Sequence, residues 1–291
     1  MANYIDKYVQ ISPLNQVQNV TEPTAIVNYN INNSREIQPL GTNILEQFLQ
    51  NQGISAVVSV SRLNEIQQNP GEYHNDLRTK FKNNDARIMG IIIRSFGAQD
   101  KVGNQLLREG DVRGTFNNAV GRLDELKSLG INTLHVLPVN PPGKHNAMGT
   151  AGSVYAPADF LKIDPALDDP NDPRDVKEEF KNFINECHKR GISVMLDLPS
   201  CASYDLFKER PELMAFEKDG TPKTPQGWND IRMFSPWKDE TKRELNPALL
   251  QMHKDFVDMC IDLGVDGIRS DVARTKPTEF WDILTNYSRQ K

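Results

Sequence analysis

Cysteine is scarce in this chain of 291 residues, which contains only three. Cys187, Cys201 and Cys260 show none of the spacings that are typical of a zinc site, and an odd number of thiols does not suit a framework of disulfides. Two of the three also fall on apolar faces of predicted helices. The sequence therefore favours the reducing cytoplasm as the compartment of this protein.

Long hydrophobic runs and an excess of positive charge are lacking as well. No apolar stretch is long enough to cross a membrane, and residues 1–8 do not contain the apolar core of a signal peptide. The net charge is −5, which argues against a protein that binds nucleic acid by electrostatic attraction. The sequence thus predicts no membrane partner and no nucleic-acid partner.

The chain does contain a repeated pattern, in which an amphipathic helix is followed by a glycine and then directly by an apolar strand. The three glycines are Gly130, Gly191 and Gly264, each placed where a helix C-terminus needs a left-handed residue. Strands are predicted near residues 88–96, 131–138, 192–198 and 265–271. Alternating helices and strands indicate parallel pairing with right-handed crossovers, and therefore an α/β fold.

The last of these strands ends in an arginine and an aspartate. Arg269 and Asp271 are two residues apart, so their side chains lie on the same face of the strand. A guanidinium group in that position keeps a carboxylate ionised and fixes its orientation. The pattern suits a catalytic nucleophile at the end of a strand, and it equally suits an ordinary structural ion pair.

Residues 1–84 differ in composition from the rest, because asparagine and glutamine are frequent there. A helix is predicted at 42–52 and a strand at 54–61. We interpret residues 1–84 as an N-terminal extension or small accessory region without chemistry of its own. The main domain is predicted at 85–291.

Four segments of the main domain carry a resemblance to a known family. They are Leu129–Pro138, Gly152–Asp159 followed by Ile163–Pro165, Val194–Asp197, and Gly267–Ala273. In this order they resemble the second strand, the tyrosine loop, the third strand and the nucleophile motif of the α-amylase superfamily, glycoside hydrolase family 13. The resemblance implies the first half of a (β/α)8 TIM barrel, with about four β/α units present and a truncated C-terminus.

The resemblance also implies a retaining glycoside hydrolase or transglycosidase that acts on α-glucosidic linkages of α-glucans or malto-oligosaccharides. Asp271 would be the nucleophile and Arg269 would hold it, while Asp197 would line the same pocket and Tyr155 would stack on a sugar ring. His135 is interpreted as a hydrogen-bonded barrel residue rather than a catalytic base. The glycine-rich loop at 141–153 lacks the lysine spacing of a phosphate-binding loop and is interpreted as part of the substrate site.

Two departures from the family pattern qualify this interpretation. Cys201 and Ala202 occupy the places where the third-strand motif usually has an asparagine for a structural calcium and a histidine for a sugar hydroxyl, so we expect no cofactor and no metal. Thr275-Lys276-Pro277 resembles a motif of maltosyltransferases in the glycogen pathway, which implies that Thr275 and Lys276 contact substrate. Residues 199–245, with two tryptophans, would form an enlarged third loop that shapes the cleft.

The family's acid/base glutamate lies on a fifth strand, which is expected beyond residue 291. Glu279 is placed on a helix and is not interpreted as that acid. We therefore expect residues 1–291 alone to show no measurable turnover of maltose, soluble starch or maltose 1-phosphate. A maltosyltransferase that uses maltose 1-phosphate and a non-catalytic carbohydrate-binding relative stay open as alternatives, and the sequence does not decide the oligomeric state.

Overall fold

The computed structural model describes residues 74–101 and 110–291, all of which lie in one compact unit, Ala56–Lys291. The helix predicted at 42–52 and the strand predicted at 54–61 lie outside the described residues. None of the helices in the described part of the chain combines the length and apolar character needed to cross a bilayer.

Helices and strands alternate along most of the described chain. The helices are α1 His74–Lys82, α2 Ile93–Phe96, α3 Phe116–Val120, α4 Leu123–Ser128, α5 Val176–Lys189, α6 Tyr204–Glu209, α7 Pro247–Leu263 and α8 Thr278–Gln290. The strands are β1 Ile88–Ile91, β2 Thr133–Val136, β3 Ser193–Leu198, β4 Cys201–Ser203, β5 Ile231–Met233 and β6 Gly267–Ser270. Short 3₁₀ turns lie at Pro165–Leu167, Pro211–Leu213 and Ala273–Thr275.

Four strands form one parallel sheet in the order β1-β2-β3-β6, which confirms the predicted α/β fold and the predicted strand order. The register places His135 opposite Met195, and Asp197 opposite Arg269. Strands β4 and β5 form a separate antiparallel pair. The polar residues of β2, β3 and β6 therefore meet towards the C-terminal ends of the parallel strands.

The first predicted strand is too long. Pairing ends at Ile91, and Ile93–Phe96 form a helical turn instead. Ile93 and Phe96 are both buried, and a spacing of three residues places them on one face of a helix as well. A short apolar run does not distinguish a strand from a helical turn, so pattern alone could not set this boundary.

The predicted ends of the last long helix are confirmed. The side chain of Asn246 accepts hydrogen bonds from the backbone N–H groups of Ala248 and Leu249, and Pro247 is the first helical residue. Gly264 ends α7 in the left-handed conformation, with φ at 83°. Both ends of the helix that precedes β6 are therefore determined by local sequence.

Helix α1 packs across the N-terminal ends of the parallel strands. The buried Lys80 Nζ donates to the carbonyl oxygens of Asn132 and Gly191 at 3.0 and 3.3 Å and to Ser193 Oγ at 2.9 Å. A Cβ atom on Gly267 would lie 2.6 Å from Leu77 Cδ2, so a side chain at this position of β6 would displace Leu77 of α1. The N-terminal end of the sheet is thus filled by structural contacts.

Glu179 on α5 is a buried carboxyl group that makes stability depend on pH. It is 0% exposed and accepts from the Asp169 backbone N–H at 3.1 Å. Burial, and then the nearby Asp168 and Asp172, raise its pKa from 4.5 to about 7. Because the folded pKa lies above the unfolded one, the contribution of Glu179 to stability is fully present below pH 4.5 and is lost as the pH rises through about 7.

Glu179→Gln is therefore expected to raise the free energy of unfolding by about 2 kcal/mol at alkaline pH, with little change in acid. The measurement is urea unfolding of both proteins on either side of this titration. Glu178→Gln, which changes the exposed neighbouring carboxylate, is the control. Equal stability of Glu179→Gln and the unmodified protein at alkaline pH would contradict the prediction.

Candidate active site

The end of β6 holds the carboxylate and guanidinium groups that the sequence pointed to. Arg269 Nη1 donates to Asp271 Oδ1 at 3.0 Å. The backbone N–H of Asp271 donates to the carbonyl oxygen of Leu198 at 3.0 Å, which continues the pairing with β3 one residue past the strand. Asp271 thus lies at the C-terminal edge of the sheet and is partly exposed, as a nucleophile must be.

Asp197 is the centre of the cluster. Its side chain is 0% exposed, and the same Arg269 Nη1 donates to its two oxygens at 3.0 and 2.9 Å. His135 Nε2 and the Tyr155 hydroxyl each lie 2.8 Å from Asp197 Oδ2. Because a carboxylate only accepts, His135 carries its hydrogen on Nε2. Asp197 is therefore an acceptor that organises the site, and His135 is a hydrogen-bonded residue of the sheet.

Tyr155 is connected to the cluster through its hydroxyl group. Burial, and then the negative charge of Asp197, raise the pKa of this hydroxyl far above its usual value of 10.0. The group stays protonated and donates to Asp197 at 2.8 Å. The ring is half-buried. Its predicted stacking on a sugar stays a prediction.

The loop at 141–153 is fixed to the protein at both ends. Arg94 donates to the carbonyl oxygens of Ala151 and Gly152, both at 3.0 Å. The Asp205 carboxylate accepts from the His145 backbone N–H at 3.1 Å and also pairs with the His145 ring. The sequence did not identify Arg94 or Asp205 as loop anchors, because each contact spans more than fifty residues of chain.

Thr275 and Lys276 follow Asp271 in the sequence but differ in burial. The Thr275 hydroxyl donates to the Val272 carbonyl oxygen at 3.0 Å, within the turn. Lys276 is 5% exposed, and its Nζ lies 3.4 Å from Ser200 Oγ. The predicted contacts of both residues with substrate stay predictions.

Cys201 begins the third loop, at the place discussed for a structural calcium. Burial raises the pKa of its thiol to about 11, so the group is neutral. Ca²⁺ takes oxygen ligands, and a neutral thiol does not suit it. In the same loop, residues 201–203 pair with 231–233, and Trp228 is 48% exposed.

Comparisons with known proteins found relatives of this chain by sequence and by structure. No family model matches the chain. It is 30% identical over 190 residues to an alpha-1,4-glucan:maltose-1-phosphate maltosyltransferase of Myxococcus xanthus, a match that covers 60% of this chain and 27% of the relative. It is 31% identical over 191 residues to pullulanase A of Streptococcus pneumoniae, covering 60% of this chain and 14% of the relative. The chain thus spans about a quarter or less of the length of these two relatives.

The solved structures that resemble this chain include two alpha-amylases. An alpha-amylase from Lactobacillus plantarum has a TM-score of 0.53 at 26% identity, covering 70% of this chain and 42% of that one. A maltogenic alpha-amylase from Thermotoga neapolitana has a TM-score of 0.54 at 26% identity, covering 71% of this chain and 44% of that one. The resemblance to the α-amylase superfamily is confirmed. The relation to its maltosyltransferases is confirmed as well.

Tyr155→Phe tests the cluster without any substrate. Removal of the hydroxyl leaves the buried Asp197 with one donor fewer, so we expect a loss of about 1 kcal/mol in the free energy of unfolding. Denaturant unfolding measures this loss. Tyr204→Phe is the matched control, since the Tyr204 ring contacts Phe207 and Arg232 and lies outside the Asp197 cluster. A loss of equal size in both variants would contradict a specific role of the Tyr155 hydroxyl.

Proposed function

We propose that this chain carries the nucleophile of a retaining glycoside hydrolase or transglycosidase that acts on α-glucosidic linkages of α-glucans or malto-oligosaccharides. The observation that carries the proposal is the single Arg269 Nη1 atom that binds both Asp197 and Asp271, at 2.9 and 3.0 Å, at the C-terminal edge of a parallel sheet. Catalytic groups of β/α barrels lie at that edge.

The geometry supports a double-displacement mechanism. An oxygen of Asp271 attacks the anomeric carbon, the bond to the leaving oxygen breaks, and a glycosyl ester forms on Asp271. The leaving oxygen takes the electron pair and a proton from a general acid, the role that the family resemblance gives to a glutamate. Water or a sugar hydroxyl then attacks the ester and restores the Asp271 carboxylate. Arg269 orients this carboxylate, and Asp197 in turn fixes Arg269.

We further propose that the four parallel strands are half of an eight-stranded barrel, with residues 85–291 as catalytic domain and 1–84 as an N-terminal extension. The strand order and the position of Asp197 opposite Arg269 support the first part. Residues 199–245 are proposed as the enlarged third loop, whose Trp228 is exposed for contact with sugar.

A substrate with a fluoride leaving group isolates the proposed role of Asp271. Within the described residues, Asp197 and Asp271 are the carboxylates bound to Arg269, and Asp197 is 0% exposed and also contacts His135 and Tyr155. Fluoride departs without help from a proton donor, so the first displacement needs only the nucleophile. We expect residues 1–291 to release fluoride from α-maltosyl fluoride and not from its β-anomer. Equal release from both anomers, or from neither, would contradict the proposal.

A maltosyltransferase that uses maltose 1-phosphate is the second candidate. It is favoured by the match to two proteins named as such enzymes, at 30% and 28% identity, and by the sequence Thr275-Lys276-Pro277. Such an enzyme would let phosphate attack the glycosyl ester. Incubation of the ester form with inorganic phosphate should then give maltose 1-phosphate. If maltose is the only product, hydrolysis is the better assignment. If no ester forms, a carbohydrate-binding role is the better assignment.

We also propose the cytoplasm as the compartment. Cys187, Cys201 and Cys260 are all free thiols, as expected in a reducing environment. A further relative at 26% identity is named as an intracellular maltogenic amylase of Bacillus subtilis. The proposed partner is the glucan substrate.

A further inference from the structure

Lys276 is a buried lysine that lies five residues after Asp271, the proposed nucleophile. It is 5% exposed, and its Nζ lies 5.6 Å from the centre of the Phe234 ring and 5.7 Å from that of Trp281. Its hydrogen-bond partner is Ser200 Oγ at 3.4 Å. Buried lysines are rare unless they are paired with an opposite charge, and the contacts of Lys276 are two rings and a neutral hydroxyl. A buried ammonium group without an opposite charge lowers the stability of the fold. This cost indicates that Lys276 has a role other than stabilising the fold.

Ser200 connects this lysine to the nucleophile's backbone. The Ser200 hydroxyl donates a hydrogen bond to the carbonyl oxygen of Asp271. The next residue, Val272, has φ at 37° and ψ at 50°. A branched side chain rarely adopts this left-handed conformation, and strain of this kind persists only where neighbouring contacts impose it. The bond from Ser200 is one such contact.

We propose that Lys276 is a positioning residue: its ammonium donates to Ser200 Oγ, which obliges the Ser200 hydroxyl to donate to the Asp271 carbonyl and so holds the strained turn that carries the nucleophile. An ammonium group has donors and no acceptor, so the hydroxyl cannot turn its hydrogen towards it. A neutral amine accepts a hydrogen bond, and it would allow the Ser200 hydroxyl to turn away. The inference rests on the proposed function of Asp271.

Lys276 is the group beside Ser200 whose protonation changes near neutral pH, while its titratable neighbours His253 and Cys201 keep theirs. Burial lowers the pKa of Lys276 to about 8, an effect that Cys201 and Asp271 partly offset. His253 on α7 faces it, and burial followed by the Lys276 charge lowers the pKa of His253 to about 3. Burial raises the pKa of the Cys201 thiol to about 11, although the Lys276 charge opposes the increase. The imidazole and the thiol therefore stay neutral while Lys276 titrates.

The test measures first-turnover release of fluoride from α-maltosyl fluoride as a function of pH. The rate of the unmodified protein should fall as the pH rises through about 8. Lys276→Met should be about 10- to 100-fold slower at neutral pH and should lack this alkaline fall. Ser200→Ala should behave in the same way, and the double variant should be no slower than either single one. Lys80→Met, which removes an equally buried lysine at the opposite end of the sheet, should keep the alkaline fall.

Stability separates this role from a structural one. The folded pKa of Lys276 lies below its ordinary value of 10.5, so its charged form destabilises the fold below about pH 8. Lys276→Met should therefore melt at a higher temperature than the unmodified protein at neutral pH, although it is slower. A lysine retained for structure would give a lower melting temperature. An unchanged rate and an unchanged pH profile in Lys276→Met would overturn the inference.

Hydrogen exchange tests whether Lys276 holds the turn at residues 271–276 without relying on catalysis. Backbone amides of residues 271–276 should exchange faster in Lys276→Met and in Ser200→Ala than in the unmodified protein and in Lys80→Met. If the unmodified protein releases no fluoride, the proposed function fails, and exchange still decides whether Lys276 holds the turn. Unchanged exchange in both variants would show that it does not.

Discussion

Asp271→Asn is expected to abolish the release of fluoride from α-maltosyl fluoride, with a loss on the order of 10⁴-fold or more. The amide has no negative charge and does not form a glycosyl ester with the anomeric carbon. It has nearly the same shape, and its oxygen still accepts from Arg269 Nη1, which lies 3.0 Å from Asp271 Oδ1. The fold should therefore be kept while the chemistry is lost.

The control for Asp271→Asn is Asp282→Asn, which changes an exposed aspartate on α8. Its fluoride release and its melting temperature should equal those of the unmodified protein. The melting temperature of Asp271→Asn should also stay within a few degrees of it. A rate for Asp271→Asn that matches that of Asp282→Asn would remove Asp271 from the mechanism.

Arg269→Lys should be the next most damaging change, with a loss of about 10²- to 10³-fold in the same assay. One guanidinium nitrogen now donates to both Asp197 and Asp271, and the planar group fixes the angle between the two carboxylates. An ammonium group on a flexible stem does not reproduce this geometry, although the charge is the same. Loss of activity with the charge retained would show that orientation is what Arg269 supplies.

Arg274→Lys is the matched control, because Arg274 is exposed and lies five residues further along the chain. It should leave fluoride release unchanged. If Arg269→Lys were as active as Arg274→Lys, positive charge alone would suffice, and the shared arginine would not be the organising group of the site.

Sequence patterns were sufficient for the sheet and for the carboxylates at its edge. The helix-glycine-strand repeats predicted the order of β1, β2, β3 and β6, because each signal is local. Once parallel order is known, Asp197 and Arg269 must meet, since both stand near the C-terminal ends of neighbouring strands. The pairing of Arg269 with Asp271 follows from their spacing of two residues along one strand.

Contacts between segments that are distant in the sequence could not be predicted from local sequence patterns. The Tyr155 hydroxyl donates to Asp197, and Arg94 holds the loop before Tyr155 by a contact across more than fifty residues. Lys276 has the sequence character of an exposed residue, yet it is 5% exposed and lies near Phe234 in the third loop and Trp281 in the last helix. Its position depends on packing, which a single sequence does not display.

The most direct measurement traps the ester and locates it. An α-maltosyl fluoride with a second fluorine on the reacting ring forms the ester faster than water removes it, so the modified protein accumulates. Peptide mass spectrometry of residues 1–291 after this treatment should find one added maltosyl group on Asp271 that retains the ring fluorine, absent from Asp271→Asn. A maltosyl group on any other residue, or an unmodified protein, would contradict the assignment of Asp271 as the nucleophile.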